Sequence, residues 1–138
     1  AVGVGIADTG RIDRDNIRQA TLWALARAVR ALPLAPALVL VDGNDPPDLP
    51  CAVETIIGGD GLIASIAAAS IVAKVTRDRL MVQLGAAFPA YGFERHMGYG
   101  TAEHGAALRT HGPCPHHRQS FAPVRAQQLA LFGDAPED

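Results

Sequence analysis

The apolar positions change period several times along the chain, and each change marks an element. Val2 to Ala7 alternates small and apolar residues, the pattern of a strand. Asp13 reads as a helix N-cap, opening a helix to about Ala31 with an apolar stripe of Ile17, Leu22, Leu25, Val29 and Leu32 and with Trp23 at its edge. Pro33 and Pro36 stop that helix. Leu38 to Val41 is a run of strand formers with no polar position, which suits a strand buried on both faces, and Asp42-Gly43-Asn44 ends it in turn chemistry. Pro46, Pro47 and Pro50 forbid regular structure until a second strand, Val53 to Ile57, which runs into Gly58-Gly59-Asp60-Gly61. From about Ile63 to Gln83 the residues Ile63, Ile66, Ala67, Ile71 and Val75 recur at helical spacing, while Ala64, Ala68, Ser70 and Ala73 allow close packing on a sheet. Ser70, Lys74 and Arg77 line one face of this helix. Pro89 to Gly100 predicts a shaped loop rich in glycine and aromatics. Thr101 then caps a short helix to Thr110, closed by Gly112-Pro113.

The order of elements predicts an α/β chain. Two acids, Asp42 and Asp60, each follow a strand, where open α/β sheets keep their sites. By position alone such an acid is more often a turn residue than a ligand.

At 138 residues the chain has room for one core. Its charged fraction of 19% is that of a globular protein, so disorder is not the default. No apolar run is long enough to span a bilayer and no basic-then-apolar leader opens the chain, so the expected location is cytoplasmic, with no membrane partner. Cys51 and Cys114 lack metal-ligand spacing and read as free thiols. A net charge of −2 argues against coating nucleic acid through bulk charge. The distribution is uneven, however: residues 61–127 carry Lys74, Arg77, Arg79, Arg95, Arg109, Arg118 and Arg125 against Asp78, Glu94 and Glu103, a half that could follow a phosphate backbone. His104, His111, His116 and His117 with Cys114 offer zinc donors, but Cys114-Pro115-His116-His117 cannot place adjacent ligands tetrahedrally as a C-x-x-C pair does.

Several motifs in one order carry a family likeness. Asp42-Gly43-Asn44, then Gly59-Asp60, then Ser65-Ile66-Ala67-Ala68-Ala69-Ser70-Ile71-Val72-Ala73-Lys74-Val75-Thr76-Arg77-Asp78, followed by Pro89-Ala90-Tyr91-Gly92-Phe93, His96-Met97-Gly98-Tyr99-Gly100-Thr101 and His117-Arg118-Gln119-Ser120-Phe121-Ala122-Pro123-Val124, resembles ribonuclease HII over residues 1 to about 125. The resemblance implies a ribonuclease H-like mixed sheet flanked by helices, in spatial order 3-2-1-4-5. Val2–Ala7, Leu38–Val41 and Val53–Ile57 match its third, fourth and fifth strands. Proteins of this family also carry a Gly-x-Asp-Glu-Ala-Gly-Arg-Gly strand supplying two of four active-site acids. Ala7-Asp8-Thr9-Gly10-Arg11 is not that motif: it lacks the paired acids and leads directly into Ile12-Asp13. The first two strands, central in the sheet, are therefore missing, and the chain alone is expected to fold poorly and expose an open apolar face, each unpaired buried backbone group costing on the order of 1–3 kcal/mol.

By resemblance, the function is an endonuclease that cleaves the RNA strand of RNA–DNA hybrids, or single ribonucleotides embedded in duplex DNA, leaving 3′-hydroxyl and 5′-phosphate ends. Its cofactor is Mg²⁺ or Mn²⁺ in a two-metal site, with Asp42 a metal ligand and Asp60 the fourth acid. Tyr99 matches a tyrosine that stacks on the sugar at the cleaved junction, and Lys74, Arg77 and Arg118 are phosphate-contact candidates. With two of four acids this chain alone is expected to be inactive, and the alternative reading is a remnant that only binds nucleic acid or a protein. Residues 126–138 are expected to form a flexible acidic tail, in which Gln128-Leu129-Ala130-Leu131-Phe132 resembles the peptide by which bacterial repair proteins dock on the sliding clamp, with Gln128, Leu129, Leu131 and Phe132 as contacts. The chain is otherwise expected to be a monomer.

Overall fold

The computed structural model describes residues 1–132, with side chains through Leu129. It divides into two compact units, Ala1–Lys74 and a second beginning at Val75.

In the first unit the chain starts extended over residues 1–8 and enters helix α1, Thr9–Arg30. The expected strand at Val2–Ala7 pairs with no other strand among the described residues; the segment instead lies along α1. Gly3 and Gly5 make this possible, because a Cβ on either would collide with the carbonyl oxygens of Ala28 and Ala24. The N-cap of α1 is Asp8, whose carboxylate accepts from Arg11 N–H at 2.7 Å, so the helix begins earlier than the expected Asp13 cap. Asn16 makes a second start within the helix. Its backbone (φ 67°, ψ 164°) lies in a region that residues with a side chain rarely adopt, which breaks the helix, and its Oδ1 accepts from Gln19 N–H at 3.1 Å, recapping the helix after the kink. Trp23 is clasped between the guanidinium groups of Arg11 (3.9 Å) and Arg27 (4.9 Å).

Strands β1, Leu38–Asp42, and β2, Ala52–Ile56, pair in parallel with Asp42 opposite Ile56. They form a two-stranded sheet, the only one among the described residues. β1 was expected to be buried on both faces, yet only Val41 is buried and Leu38 is 50% exposed. The reason is the small size of the sheet, which leaves a strand edge and part of a face without neighbours. Val2, Val4, Ile6, Ile57 and Leu62 are likewise exposed. Gly58, left-handed at φ 68°, turns the chain into the single helical turn α2, Gly59–Leu62. Ile63 is extended, and α3 runs over Ala64–Ala87, giving its first part to this unit and the remainder to the next.

The second unit continues through a 3₁₀ turn, Pro89–Tyr91, and the short helix α4, Phe93–His96. Gly92, Met97 and Gly98 are all left-handed, which coils this glycine-rich stretch as the sequence predicts. Helix α5, Ala102–His111, has Thr101 as its N-cap, accepting from His104 N–H at 3.2 Å, and ends at Gly112 with φ 69°. The core is aromatic: Tyr91, Phe93 and Cys114 are buried, with Met81, Leu84 and Phe88 packed against them. Tyr91 and Phe93 stack at 5.3 Å, and the Tyr91 hydroxyl donates to Gly112 O at 2.8 Å. Helix α6, Ala122–Phe132, occupies much of the span expected to be a flexible tail. Gln127 donates to Arg109 O at 3.3 Å and Gln128 to the Gln119 side chain, anchors that lie too far upstream in sequence for the local pattern to reveal. The end of the expected tail, residues 133–138, lies outside the described residues, as do the side chains of Leu131 and Phe132.

Candidate active site

Asp42 is the last residue of β1 and Asp60 lies in the first turn of α2, so the parallel pairing brings both acids to the carboxyl ends of the two strands. A glycine locks them together. Gly59 is buried, and its N–H donates to Asp42 Oδ1 at 2.8 Å. A Cβ at this position would stand 2.7 Å from Ile66 Cδ1, 3.4 Å from Ile56 Cβ and 3.6 Å from Asp42 Cα. A side chain here would have to displace the end of Ile66, while its contacts with the two strands would be ordinary ones. Both carboxylates are exposed, and Asp42 retains a second oxygen beyond the one bound to Gly59.

Exposed carboxylate oxygens are hard donors that suit Mg²⁺ or Mn²⁺ in company with water. Asp42 and Asp60 therefore fit such an ion as partial ligands. Among the described residues no group of three His, Cys, Asp or Glu side chains is arranged to hold a metal, so a two-ion centre needs carboxylates beyond these two. The nearby Asp45 is already engaged: Arg18 donates to its two oxygens at 2.5 and 2.7 Å, which lowers the Asp45 pKa and raises that of Arg18. A cleft of about 240 Å³ lies between this loop and α1, lined by Asp42, Asn44, Ile17 and Thr21 among others.

In the second unit, Tyr99 sits in the left-handed Gly98 loop and is 60% exposed, with the Arg77 guanidinium 4.9 Å from its ring centre. The structure thus joins two of the candidates, an aromatic surface and a cation, in one place. Arg118 lies 4.6 Å over the Phe121 ring, and Lys74 is exposed on α3 in the first unit. In α6, Leu129 is 64% exposed and Gln128 is half-buried. Both cysteines are free thiols, Cys114 buried.

Sequence reasoning weighed His104 and His117 only as zinc donors and passed over His96; the structure groups the three around the Tyr99 loop. His96 and His117 are each 7% exposed. His96 and His104 stack at 4.4 Å, and His104 Nε2 lies 3.0 Å from His117 Nε2. Burial, and then the neighbouring His104, push the His117 pKa below its ordinary value; burial pushes the Cys114 thiol up. The only sequence signal was the density of histidine among glycines and aromatics over residues 91–117.

The sequence pattern of the family described as ribonuclease HII matches residues 2–124. The chain belongs to the ribonuclease HII family. It is 76% identical over 131 residues to the ribonuclease HII of Xanthobacter autotrophicus, covering 95% of this chain and 53% of that protein. It is 80% identical over 131 residues to the ribonuclease HII of Azorhizobium caulinodans, again covering 95% of this chain and 51% of the relative. The chain spans about half the length of these curated ribonuclease HII proteins. Among solved structures, ribonuclease H2 of Pyrococcus horikoshii superposes with a TM-score of 0.72 at 21% identity, covering 94% of this chain and 68% of that one, a likeness of fold. No helix among the described residues is long and apolar enough to cross a membrane.

Proposed function

We propose that this chain supplies part of the active site and of the nucleic-acid surface of an endonuclease that cleaves the RNA strand of RNA–DNA hybrids and single ribonucleotides embedded in duplex DNA, by metal-dependent hydrolysis giving 3′-hydroxyl and 5′-phosphate ends. The observation that carries the reading is the coupled pair Asp42 and Asp60 at the ends of two parallel strands, tied by the Gly59–Asp42 hydrogen bond. Asp42, through its remaining oxygen, and Asp60 would hold Mg²⁺ or Mn²⁺, which when bound activates water and neutralises charge on the departing oxygen. The Gly59 N–H fixes the Asp42 carboxylate before any ligand arrives, so its orientation needs no reorganisation on binding. Tyr99 would offer its exposed ring to a sugar, and Arg77, Lys74 and Arg118 their charge to phosphates.

A second reading has an observation in its favour: with two converging acids among the described residues, this chain by itself would bind nucleic acid or a protein without cutting. The Leu129 face of α6, together with Gln128, Leu131 and Phe132, would then be the part that docks on a bacterial sliding clamp. The test of the main reading is cleavage of a duplex bearing one ribonucleotide by the complete protein and its Asp42→Asn variant. The variant keeps the shape of the site and loses a ligand charge, so its rate should fall on the order of a thousandfold or more with the thermal midpoint little changed. Turnover near the unsubstituted rate would remove Asp42 from the site.

A further inference from the structure

Hydrogen bonds from the backbone leave no freedom in how the protons of the histidine group are placed. The amide of Cys114 can only donate, and it lies 3.0 Å from His117 Nδ1, so that nitrogen is bare and accepts. A neutral His117 then carries its proton on Nε2, 3.0 Å from His104 Nε2, which must accept it. His104 in turn carries its proton on Nδ1, 2.9 Å from the carbonyl oxygen of Tyr99, which can only accept. His96 is fixed in the same way: Gly98 N–H donates to its Nδ1 at 3.2 Å, and its Nε2–H donates to Tyr91 O at 2.8 Å. Two rings thus clamp the backbone on both sides of the Gly98–Tyr99 link, His96 on Gly98 N–H and His104 on Tyr99 O, with His117 behind His104.

We propose that His117 and His104 form a proton-ordered relay that positions the Tyr99 loop, that His96 braces the same loop, and that the clamp holds only while all three imidazoles are neutral. For the ligand side this rests on the assignment of Tyr99 to a nucleic-acid contact. One added proton breaks one named bond in each case. On His117 it would oppose the Cys114 N–H, on His104 it would oppose the His117 Nε2–H, and on His96 it would oppose the Gly98 N–H. The rings also stand close, with centroids 4.4 Å apart for His96 and His104 and 5.3 Å for His104 and His117, so two imidazolium charges would repel. The other ionisable groups around them are the Cys114 thiol, 3.1 Å from His117 Nδ1, the Tyr91 phenol and His116 and His111 from the adjoining segments. Glu94, Arg95 and Glu103 flank His96 and His104 on α4 and α5; Arg95 is paired with both glutamates, and the charge of His96 helps to lower the Glu103 carboxyl pKa. Arg77 adds a positive charge over Tyr99 itself. For His117, burial and the neighbouring His104 favour the neutral ring.

The relay commits His104 to the Nδ1–H tautomer, the less common form of a free imidazole, and His117 and His96 to Nε2–H. Long-range ¹H–¹⁵N spectra of the full chain, titrated from about pH 8 to about pH 5, read both the tautomers and the loop. The expected result is those three tautomers at the alkaline end, with Gly98, Tyr99 and Gly100 amide shifts moving at the midpoint of the imidazole signals. His104 found as Nε2–H, or loop amides that do not move with the imidazoles, would overturn the relay whatever the chain binds. His104→Gln supplies the acceptor and donor of the neutral ring without a titrating group, so it should keep the alkaline loop shifts and lose the response assigned to His104; His104→Leu should displace them at every pH. For the ligand side, a duplex with one ribonucleotide should bind the unsubstituted chain about fivefold more weakly at the acid end than His104→Gln does, the loss of one net hydrogen bond. An equal decline in both would refute the positioning role, whereas no binding by either at any pH, with the tautomers as assigned, would uphold the relay and count against the function proposed for Tyr99.

Discussion

Gly59→Ala probes the join between the two acids. The new Cβ would face Ile66 Cδ1 at 2.7 Å, Ile56 Cβ at 3.4 Å and Asp42 Cα at 3.6 Å. The closest atom is the end of a side chain, but Ile66 is 7% exposed and branched, so it turns aside only against its neighbours. Overpacking of this kind costs about 1–3 kcal/mol. Ile66→Val removes the offending methyl at a cost of about 0.5–1.5 kcal/mol by itself. In Gly59→Ala/Ile66→Val the collision is gone, so the double variant should be more stable than the sum of the single losses by about 1 kcal/mol, a coupling well outside the roughly 0.3–0.5 kcal/mol within which independent sites add. Urea unfolding of the four proteins measures it. Additivity within that margin would mean that Gly59 does not press on Ile66, and the account of why a glycine joins Asp60 to Asp42 would fail with it.

Two other predictions concern the second unit. His117 is held neutral by burial and by His104 below its ordinary pKa of 6.5, so the folded chain binds fewer protons than the unfolded one as pH falls below about 6.5. Stability should therefore be fully present above about pH 7 and be lost progressively towards pH 5, and His117→Gln should flatten that slope; an unchanged slope would place the titrating group elsewhere. If α6 docks on a sliding clamp, the full chain should bind purified clamp in the micromolar range typical of such short motifs, and Leu131→Ala with Phe132→Ala should abolish it, while equal binding by both proteins would end that idea.

The sequence was most legible where local chemistry decides structure. The run Leu38–Val41, the cap Thr101 and the interval between Asp42 and Asp60 each announce themselves within a few residues, and the family motifs cover nearly the whole chain. It was least legible where distant groups decide. Whether Val2–Ala7 joins a sheet depends on a partner strand, and without one among the described residues its glycines serve close contact with α1 instead. Asp13 was the expected cap, whereas Asp8 caps the helix and Asn16 recaps it after a kink that a helical period does not reveal. Gly59 looked like an ordinary turn glycine until its N–H was seen on Asp42. The histidines read as failed zinc ligands because tautomers are set by backbone groups such as Cys114 N–H and Tyr99 O, which the fold, and not the spacing, brings to them. Residues 126–132, expected in the tail, are helical, and the bonds of Gln127 to Arg109 and of Gln128 to Gln119 have no local signal in the sequence.

The central claim is that Asp42 and Asp60 gather a divalent ion at the ends of the two strands. Substoichiometric Mn²⁺ added to the ¹⁵N-labelled chain tests it directly, since the paramagnetic ion broadens amide signals steeply with proximity. The account predicts selective loss of the Gly43, Gly59, Asp60 and Gly61 signals, reversed by excess Mg²⁺ and absent in Asp42→Asn/Asp60→Asn. Broadening centred on the histidines or on Asp45 and Asp48, or a pattern unchanged in the double variant, would contradict it.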